Sequence, residues 1–540
     1  MHKIPIDLMD GPQFALRGRI VTMNKTRDVI DDGVMYVDKG RIAAIAPHGA
    51  AAPEGFKDVA IINTRSTIYP GLIELHNHLS YNILKLWNVP ATYTNRNQWA
   101  GIKEYRRLIS GPMNVLGRTP GCVEAVVRFV ECKCLMAGVT TSQGIALFSN
   151  SGIQKYYRGV VRNVENTDDA DLPESLDKIS DVEAHSAAKF FERLKRQSCL
   201  LLHLCEGTDE NAHKHFTDLQ LKNGHWAITD ALAGIHCVAL NEEDYKIMKQ
   251  ARASVVWSPL SNLLLYGKTA DVKAAVKNDI TIGLGSDWSP SGSKNLFGEC
   301  KVARLVSREM GIFDNDSDIL ALATIEAAKI LKWDHELGSI EAGKRADCML
   351  MTGVTGDPYQ QFLTRSEAAI SLVIINGIPR YGYASLMKKF EKEKEDITVG
   401  KRKYQLFLQQ SSADAAVGAL GLQAAVDKLT DSLERLPELA KELDNRGFNP
   451  ISTGIANTKP QWFLVLDHDD EAEGERLRMQ GEESLDTSAM LAPAEPLSAI
   501  VEKMDLDAIT VAADRSFLSS LQSQRNLPAY VKKGLAQMYR

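Results

Sequence analysis

Pro70-Gly71-Leu72-Ile73-Glu74-Leu75-His76-Asn77-His78 is a short apolar run that ends in two histidines one residue apart. On a β-strand, residues two apart share a face, so such a run carries both imidazoles to one side and Asn77 to the other. In a barrel of parallel strands that side is the interior, and the carboxyl ends of the strands are where active sites of that fold lie. Alone, a His-x-His more often marks two buried histidines satisfied by hydrogen bonds. Three further polar residues change this, because each ends a separate apolar run. They are His203 in CLLLHLCEG (199–207), His236 in LAGIHCV (232–238) and Asp287 in TIGLGSDWSP (281–290). Burying a polar ring or a charge is costly without a partner, so repeated polar strand ends call for a shared one, and a metal ion serves. His213 and His215 in NAHKHF fall on a helical pattern, where residues two apart diverge, and are expected at the surface. His185, His225 and His335 end no apolar run and are read as structural.

From about 70 to 337, apolar runs alternate with helical stretches, the pattern of βα units around a parallel sheet. The strand candidates are GLIELHNH (71–78), GVTTSQG (138–144), GVVRNV (159–164), CLLLHL, LAGIHCV, ASVVWSP (253–259) and TIGLGSD. The fourth strand of an eight-stranded barrel is weak, with KISDVEAH (178–185) as its best representative. Asn241 followed by Glu242, Glu243 and Asp244 marks a helix start. Before this region, ALRGRIVTM (15–23), GVMYVDKGRIAAIAP (33–47) and DVAIIN (58–63) read as strands, with a hairpin at Asp38-Lys39-Gly40. RADCMLMTG (345–353) and SLVIINGIPR (371–380) repeat that character. The expected architecture is therefore α/β: a (β/α)8 TIM barrel (70–337), a small composite β-sandwich from residues 1–69 and 338–385, and a mostly helical C-terminal extension (386–540). In the extension, KKFEKEKED (388–396) reads as a solvated charge run, Ala413 to Leu443 as an amphipathic helix, and QWFLVLDHDDEAEGE (461–475) as a strand running into an acidic loop.

The chain has 540 residues, room for more than one domain. Hydrophobic residues are 44% and charged residues 24%, the balance of a folded globular protein, and a net charge of -6 gives no reason to expect nucleic acid or an acidic membrane as partner. No run approaches the roughly 20 apolar residues of a membrane helix, and the N-terminus has no secretory pattern. The eight cysteines include no C-x-x-C pair and are expected as buried thiols of a cytoplasmic protein. A small-molecule substrate and a homo-oligomer are expected.

The motifs resemble those of the amidohydrolase superfamily, and more closely its branch of cytosine, guanine and S-adenosylhomocysteine deaminases and triazine chlorohydrolases. Besides the 70–78 run, His203-Leu-Cys-Glu206 resembles the family's His-x-x-Glu. His236-Cys-Val-Ala-Leu leading to Ser258-Pro259-Leu-Ser261-Asn262-Leu, Gly283-Leu-Gly-Ser-Asp287, and Leu337-Gly-Ser-Ile-Glu-Ala-Gly-Lys-Arg-Ala-Asp347 match further blocks. The resemblance covers about Phe14 to Tyr383 and nothing after 385.

It implies one divalent metal, Zn or Fe, held by His76, His78, His203 and Asp287, and hydrolytic deamination of an N-heterocycle by a metal-bound hydroxide. Glu206 would shuttle the proton to the ring nitrogen, Asp287 would accept the water proton, and His236 would orient the hydroxide or polarise the substrate. A binuclear cyclic-amide or peptide amidohydrolase and a catalytically silent scaffold are the alternatives. The binuclear branch bridges its metals with a carboxylated lysine or a carboxylate; no lysine lies in the runs that would hold it, and Glu165 is the one substitute. The loop after the first strand (80–107) offers Tyr81, Asn82, Trp87 and Arg96 to a planar ring, and Trp288 and Ser289 follow Asp287. Every catalytic candidate precedes residue 290, so the extension is expected to be dispensable for chemistry.

Overall fold

A computed structural model describes residues 3–411, 414, 417–446, 461–466, 495–514 and 516–539. Phe14–Val21, Val29–Asp38, Arg41–Pro47 and Ile61–Pro70 from the N-terminal patch join Cys348–Thr352, Ile370–Ile375 and Ile378–Tyr383 from the later one in one nine-stranded sheet. The seam is the antiparallel pairing of Cys348–Thr352 with Ser66–Pro70. The hairpin at 38–41 forms as the sequence suggests: Lys39 (φ 47°) and Gly40 (φ 73°) are both left-handed, which a two-residue turn matching the strand twist requires. The sheet runs past the expected boundary at 385. Glu395–Val399 and Arg402–Leu406 add its last two strands, so part of the charge run KKFEKEKED pairs in a sheet edge.

Between the two patches eight strands pair in parallel, while Ala146–Ser149 and Gln154–Tyr156 pair antiparallel in a separate small sheet. Leu72–Glu74, Val139–Ser142 and Arg162–Asn163 form one sheet. Ser175–Lys178, Cys199–Leu204, Leu232–His236, Ser254–Trp257 and Thr281–Leu284 form another. The two sheets meet at both edges, where Ser175 N donates to Val164 O (2.9 Å) and Leu75 N to Leu284 O (3.4 Å). All residues of Cys199–Leu204, Leu232–His236 and Ser254–Trp257 are buried, which is why these strands read as continuous apolar runs rather than alternating ones. The strand before Cys199 is not KISDVEAH but Ser175–Lys178, which shares only Lys178 with it. Its residues alternate between buried and half-buried, and so present no apolar run to find. Asn241 caps the helix Glu242–Ala251 in a capping box with Asp244.

The amphipathic stretch of the extension divides into two helices, Leu422–Glu434 and Leu436–Arg446, and Ala413 lies outside the described residues. The first packs on the helix Cys122–Met136, where Arg128 Nε donates to Leu420 O (2.7 Å) and Cys122 Sγ lies 3.3 Å from Ser432 Oγ. Trp462–Leu464 pairs with Ala146–Ser149, while the acidic loop from 467 onward is outside the described residues. Phe517–Ser523 and Ala529–Met538 are helices. All eight cysteines are free and buried. No helix among the described residues is long and apolar enough to cross a membrane.

Candidate metal centre and pocket

His76, His78, His203, His236 and Asp287 converge at the carboxyl ends of their strands. The His76 ring lies 5.0 Å from His78, 4.7 Å from His203 and 5.1 Å from His236, centroid to centroid. Asp287 Oδ1 is 3.5 Å from His76 Nε2 and 3.6 Å from His78 Nε2. All five are buried. The first pair does not stand on a straight strand, since the strand ends at Glu74 and both histidines lie in the turn beyond it. Asn77 is buried too, donating to Ser286 Oγ (2.8 Å) and accepting from Asn82 Nδ2 (2.9 Å). The end of the first strand approaches the end of the last closely enough that a Cβ on Gly285 would fall 2.4 Å from His76 Cβ. Asp287 N donates to His76 O there (2.9 Å).

His236 (φ 67°) and Asp287 (φ 61°) both hold left-handed backbone, a conformation that costs a side-chain-bearing residue about 1–2 kcal/mol and that concentrates at functional sites. The imidazoles are oriented from behind. His76 Nδ1 lies 3.2 Å from Gln143 Oε1, His203 Nδ1 3.4 Å from Lys178 O, and His236 Nδ1 3.0 Å from Asn262 Oδ1. Each partner atom is an acceptor, so each ring carries its proton on Nδ1 and offers the Nε2 lone pair to the centre. Burial, reinforced by the neighbouring imidazoles, holds His203 well below the ordinary histidine range, and burial also lowers His236 against the pull of Glu206. Burial alone would raise the Asp287 carboxyl; positive charge at His76, His78 and His236 would hold it well below the usual carboxylate range, a place that a cation takes when the rings are neutral.

Neutral imidazoles around an ionised carboxylate are the protonation state a divalent cation needs. Ligand atoms about 2 Å from one ion lie roughly 3.3 Å apart in a tetrahedral shell, close to the Asp287 spacings above. The ligand atoms of His76, His78 and Asp287 lie within 4.8 Å of one another, as do those of His76, His203 and His236. The residues fit a metal ion. Glu165 is not in either group; its Oε2 accepts from Gly144 N at 2.8 Å.

Glu206 shares the cavity. Tyr266 donates to its Oε1 (2.7 Å), Trp99 Nε1 donates in turn to the Tyr266 oxygen (3.0 Å), and Glu206 Oε2 lies 3.8 Å from His236 Nε2. Burial and the Glu206 charge hold the Tyr266 phenol well above its usual value, so it remains a donor. The cavity, of about 500 Å³, is lined by His78, His203, His236, Asp287 and Glu206, by Trp99, Tyr105 and Trp288, and by Arg96.

Of the residues expected around a substrate, Arg96 and Trp288 reach this cavity and Tyr81, Asn82 and Trp87 do not. Tyr81 packs behind Trp288 (5.3 Å between rings), Asn82 binds Asn77 and Ser289, and Trp87 lies against Tyr105. The turn that follows His78 points these side chains into the core rather than across the mouth. Ser289 likewise faces inward, to Asn82 and Lys133. Arg96 binds Asp181 (3.0 Å) and the Ile179 carbonyl (2.6 Å) and lies 4.0 Å from Glu206 Oε2. His213 and His215 are half-buried rather than on the open surface, against Asp244 (2.8 Å) and Asp181 (3.4 Å). Gln143 and Tyr266 were not singled out from the sequence; Asn262 was quoted only as part of a motif. Leu497 and Ile500 of the extension also line the cavity, although every residue expected to take part in the chemistry precedes 290.

Residues 190–379 match the model of the amidohydrolase family. A 5-methylthioadenosine/S-adenosylhomocysteine deaminase of Caldanaerobacter subterraneus is 35% identical over 120 residues, 22% of this chain and 28% of that protein. That alignment spans well under two thirds of the relative. One of the same name from Thermodesulfovibrio yellowstonii is 25% identical over 418 residues, 68% of this chain and 93% of its own. A zinc-bound adenosine deaminase from Xanthomonas campestris superposes with a TM-score of 0.51 at 16% identity, over 79% of this chain and 99% of that one, and shares its fold.

Proposed function

We propose that this chain, which carries an amidohydrolase-family domain, is a metal-dependent hydrolase that deaminates an N-heterocyclic small molecule in the cavity described above. The observation that carries the reading is the convergence of four imidazoles and Asp287 on one buried point with Glu206 in the same cavity. The deaminase names of the relatives support it. In this reading the eight parallel strands form a (β/α)8 barrel closed by the two edge hydrogen bonds, with the site at its carboxyl end.

His76, His78, His203 and Asp287 would hold one divalent ion, Zn or Fe, and such an ion supplies a Lewis acid and a water of lowered pKa. Asp287, kept ionised, can take a proton from the attacking water. Glu206, held by Tyr266 through one oxygen, has the other 3.8 Å from His236 Nε2 and 4.0 Å from Arg96, where it would carry a proton to the ring nitrogen next to the carbon under attack. His236 is fixed by Asn262 with its Nε2 toward Glu206 and orients the nucleophile or the leaving amine. Trp288, Trp99 and Tyr105 supply flat apolar faces for a planar ring.

The binuclear alternative draws on the two overlapping ligand triads. Their common member, however, is His76, whose Nε2 has a single lone pair and cannot bridge two ions. This favours one metal. Ammonia release measured across purines, pyrimidines, pterins and triazines, with metal content determined on the same preparation, tests the proposal. Release from at least one ring by protein holding about one ion is expected; metal-loaded protein inert on all classes, or two ions at full occupancy, would overturn it.

A further inference from the structure

The mouth of the cavity includes a piece of chain for which the family resemblance offers no counterpart. Residues 495–514 return to the barrel after the two extension helices. The short helix Leu497–Ile500 is pinned at its start by Asp444, whose carboxylate accepts from Leu497 N (3.0 Å), Ser498 N (2.9 Å) and Ser498 Oγ (2.6 Å). Leu497 is buried and Ile500 half-buried, and both line the same cavity as the metal cluster and Glu206. Ile500 and its neighbour Val501 rest on Gly111, where a Cβ would fall 3.0 Å from Val501 Cγ1 and 3.3 Å from Ile500 Cγ2. Gly111 follows a π-helical turn, Arg106–Ser110, of which Arg106 and Ser110 also face the cavity. Such a turn is frequent at functional sites.

The segment is held along its length. Met504 N donates to Leu433 O (3.1 Å) and Asp507 N to Ile83 O (2.9 Å). The buried Asp507 carboxylate accepts from Lys133 (2.8 Å) and Lys294 (2.6 Å). Lys133 also donates to Ser289 Oγ (2.7 Å) and Asn82 O (2.8 Å), the two stretches that carry Asp287 with Trp288 and His78. The segment is thus tied to the loops that build the metal centre.

We propose that residues 495–514 are a wall of the substrate pocket, and that Leu497 and Ile500 are specificity-determining residues that select heterocycles bearing an apolar substituent. The proposal rests on the deaminase reading for its substrate class and on this segment alone for the selection. Two aliphatic side chains in a cavity that also holds the metal cluster and Glu206 offer an apolar contact to a substituent of the bound ring, and each methylene contacted is worth a few-fold to tenfold in discrimination.

The test compares kcat and KM for 5′-methylthioadenosine and adenosine, which differ in an apolar against a hydroxyl substituent, in wild type, Leu497→Ala and Ile500→Ala. Each variant is expected to lose about tenfold of its preference for 5′-methylthioadenosine, through KM, with metal content unchanged. A preference that stays within twofold of wild type overturns the proposal. Should wild type turn over neither nucleoside, the deaminase reading with these rings fails, and the wall is decided separately. Ile500→Cys is then labelled with a maleimide, all eight native cysteines being buried. Labelling is expected to slow removal of the metal by dipicolinate several-fold, and equal rates with and without label overturn the wall. Wild-type protein that binds no metal at all removes the reading and the proposal together.

Discussion

Glu206 owes its place to three residues of spacing from His203 and to one phenol. If it moves the proton to the ring nitrogen, Glu206→Gln removes a general acid-base group worth typically 10²- to 10⁴-fold in turnover while leaving the metal in place. Undiminished kcat in a fully metal-loaded Glu206→Gln enzyme would contradict the shuttle role. Tyr266 acts through Glu206 as a positioning residue. Because its hydroxyl donates to one carboxylate oxygen, it fixes the direction of the other. Tyr266→Phe is therefore expected to lower kcat about tenfold with KM and metal content unchanged. A purely structural tyrosine would lower the melting temperature and leave kcat of the metal-loaded enzyme where it was. Glu299 gives a third prediction, read in stability. Burial pushes its carboxyl up from 4.5 to about 8, against hydrogen bonds from Ser293 Oγ and Leu260 N. Between those values the unfolded chain has released a proton that the native protein keeps, so stability falls as pH rises through that window. Urea unfolding of metal-free protein should show this limb, and Glu299→Gln should flatten it.

At the scale of elements, the strand ends carried most of the legible information. His76, His203, His236 and Asp287 were found because each closes an apolar run, and buried parallel strands leave that signature. His78→Ala is expected to lose metal and activity together, checked by elemental analysis; a variant keeping both would remove His78 from the ligand set. What the sequence hid has physical causes. Ser175–Lys178 has Leu176 as its one apolar residue and leaves no apolar run, whereas Arg162–Asn163 lies inside GVVRNV, which does. The loop after His78 is rich in aromatic and amide groups that suit a planar ring, yet such groups pack a turn inward as readily as they meet a ligand. Tyr81, Asn82 and Trp87 do the former. The rings that do face the cavity, Trp99 and Tyr105, lie farther along the same stretch, and composition alone could not order them.

In the whole molecule, the composite sheet was visible from two matching β-patches, whereas the part played by the extension was not. Leu497 and Ile500 look like any aliphatic residues of a short helix. Lys133 and Asp507 stand 374 positions apart, a pairing that no local pattern announces. Asp507→Asn would leave two buried lysines without their shared carboxylate. Removing one partner from such a buried network costs about 3–5 kcal/mol, which urea denaturation would register. A shift below about 1 kcal/mol would mean that the network adds little to the hold of the segment. The position of this segment also sets an order of events during synthesis. A ribosome delivers roughly 5–20 residues per second, so the stretch with Leu497, Ile500 and Asp507 emerges on the order of ten seconds or more after Asp287. A nascent chain can therefore assemble its ligand cluster while one side of the pocket has yet to be translated, and the proposed selectivity for substrate is acquired only as residues 495–514 dock.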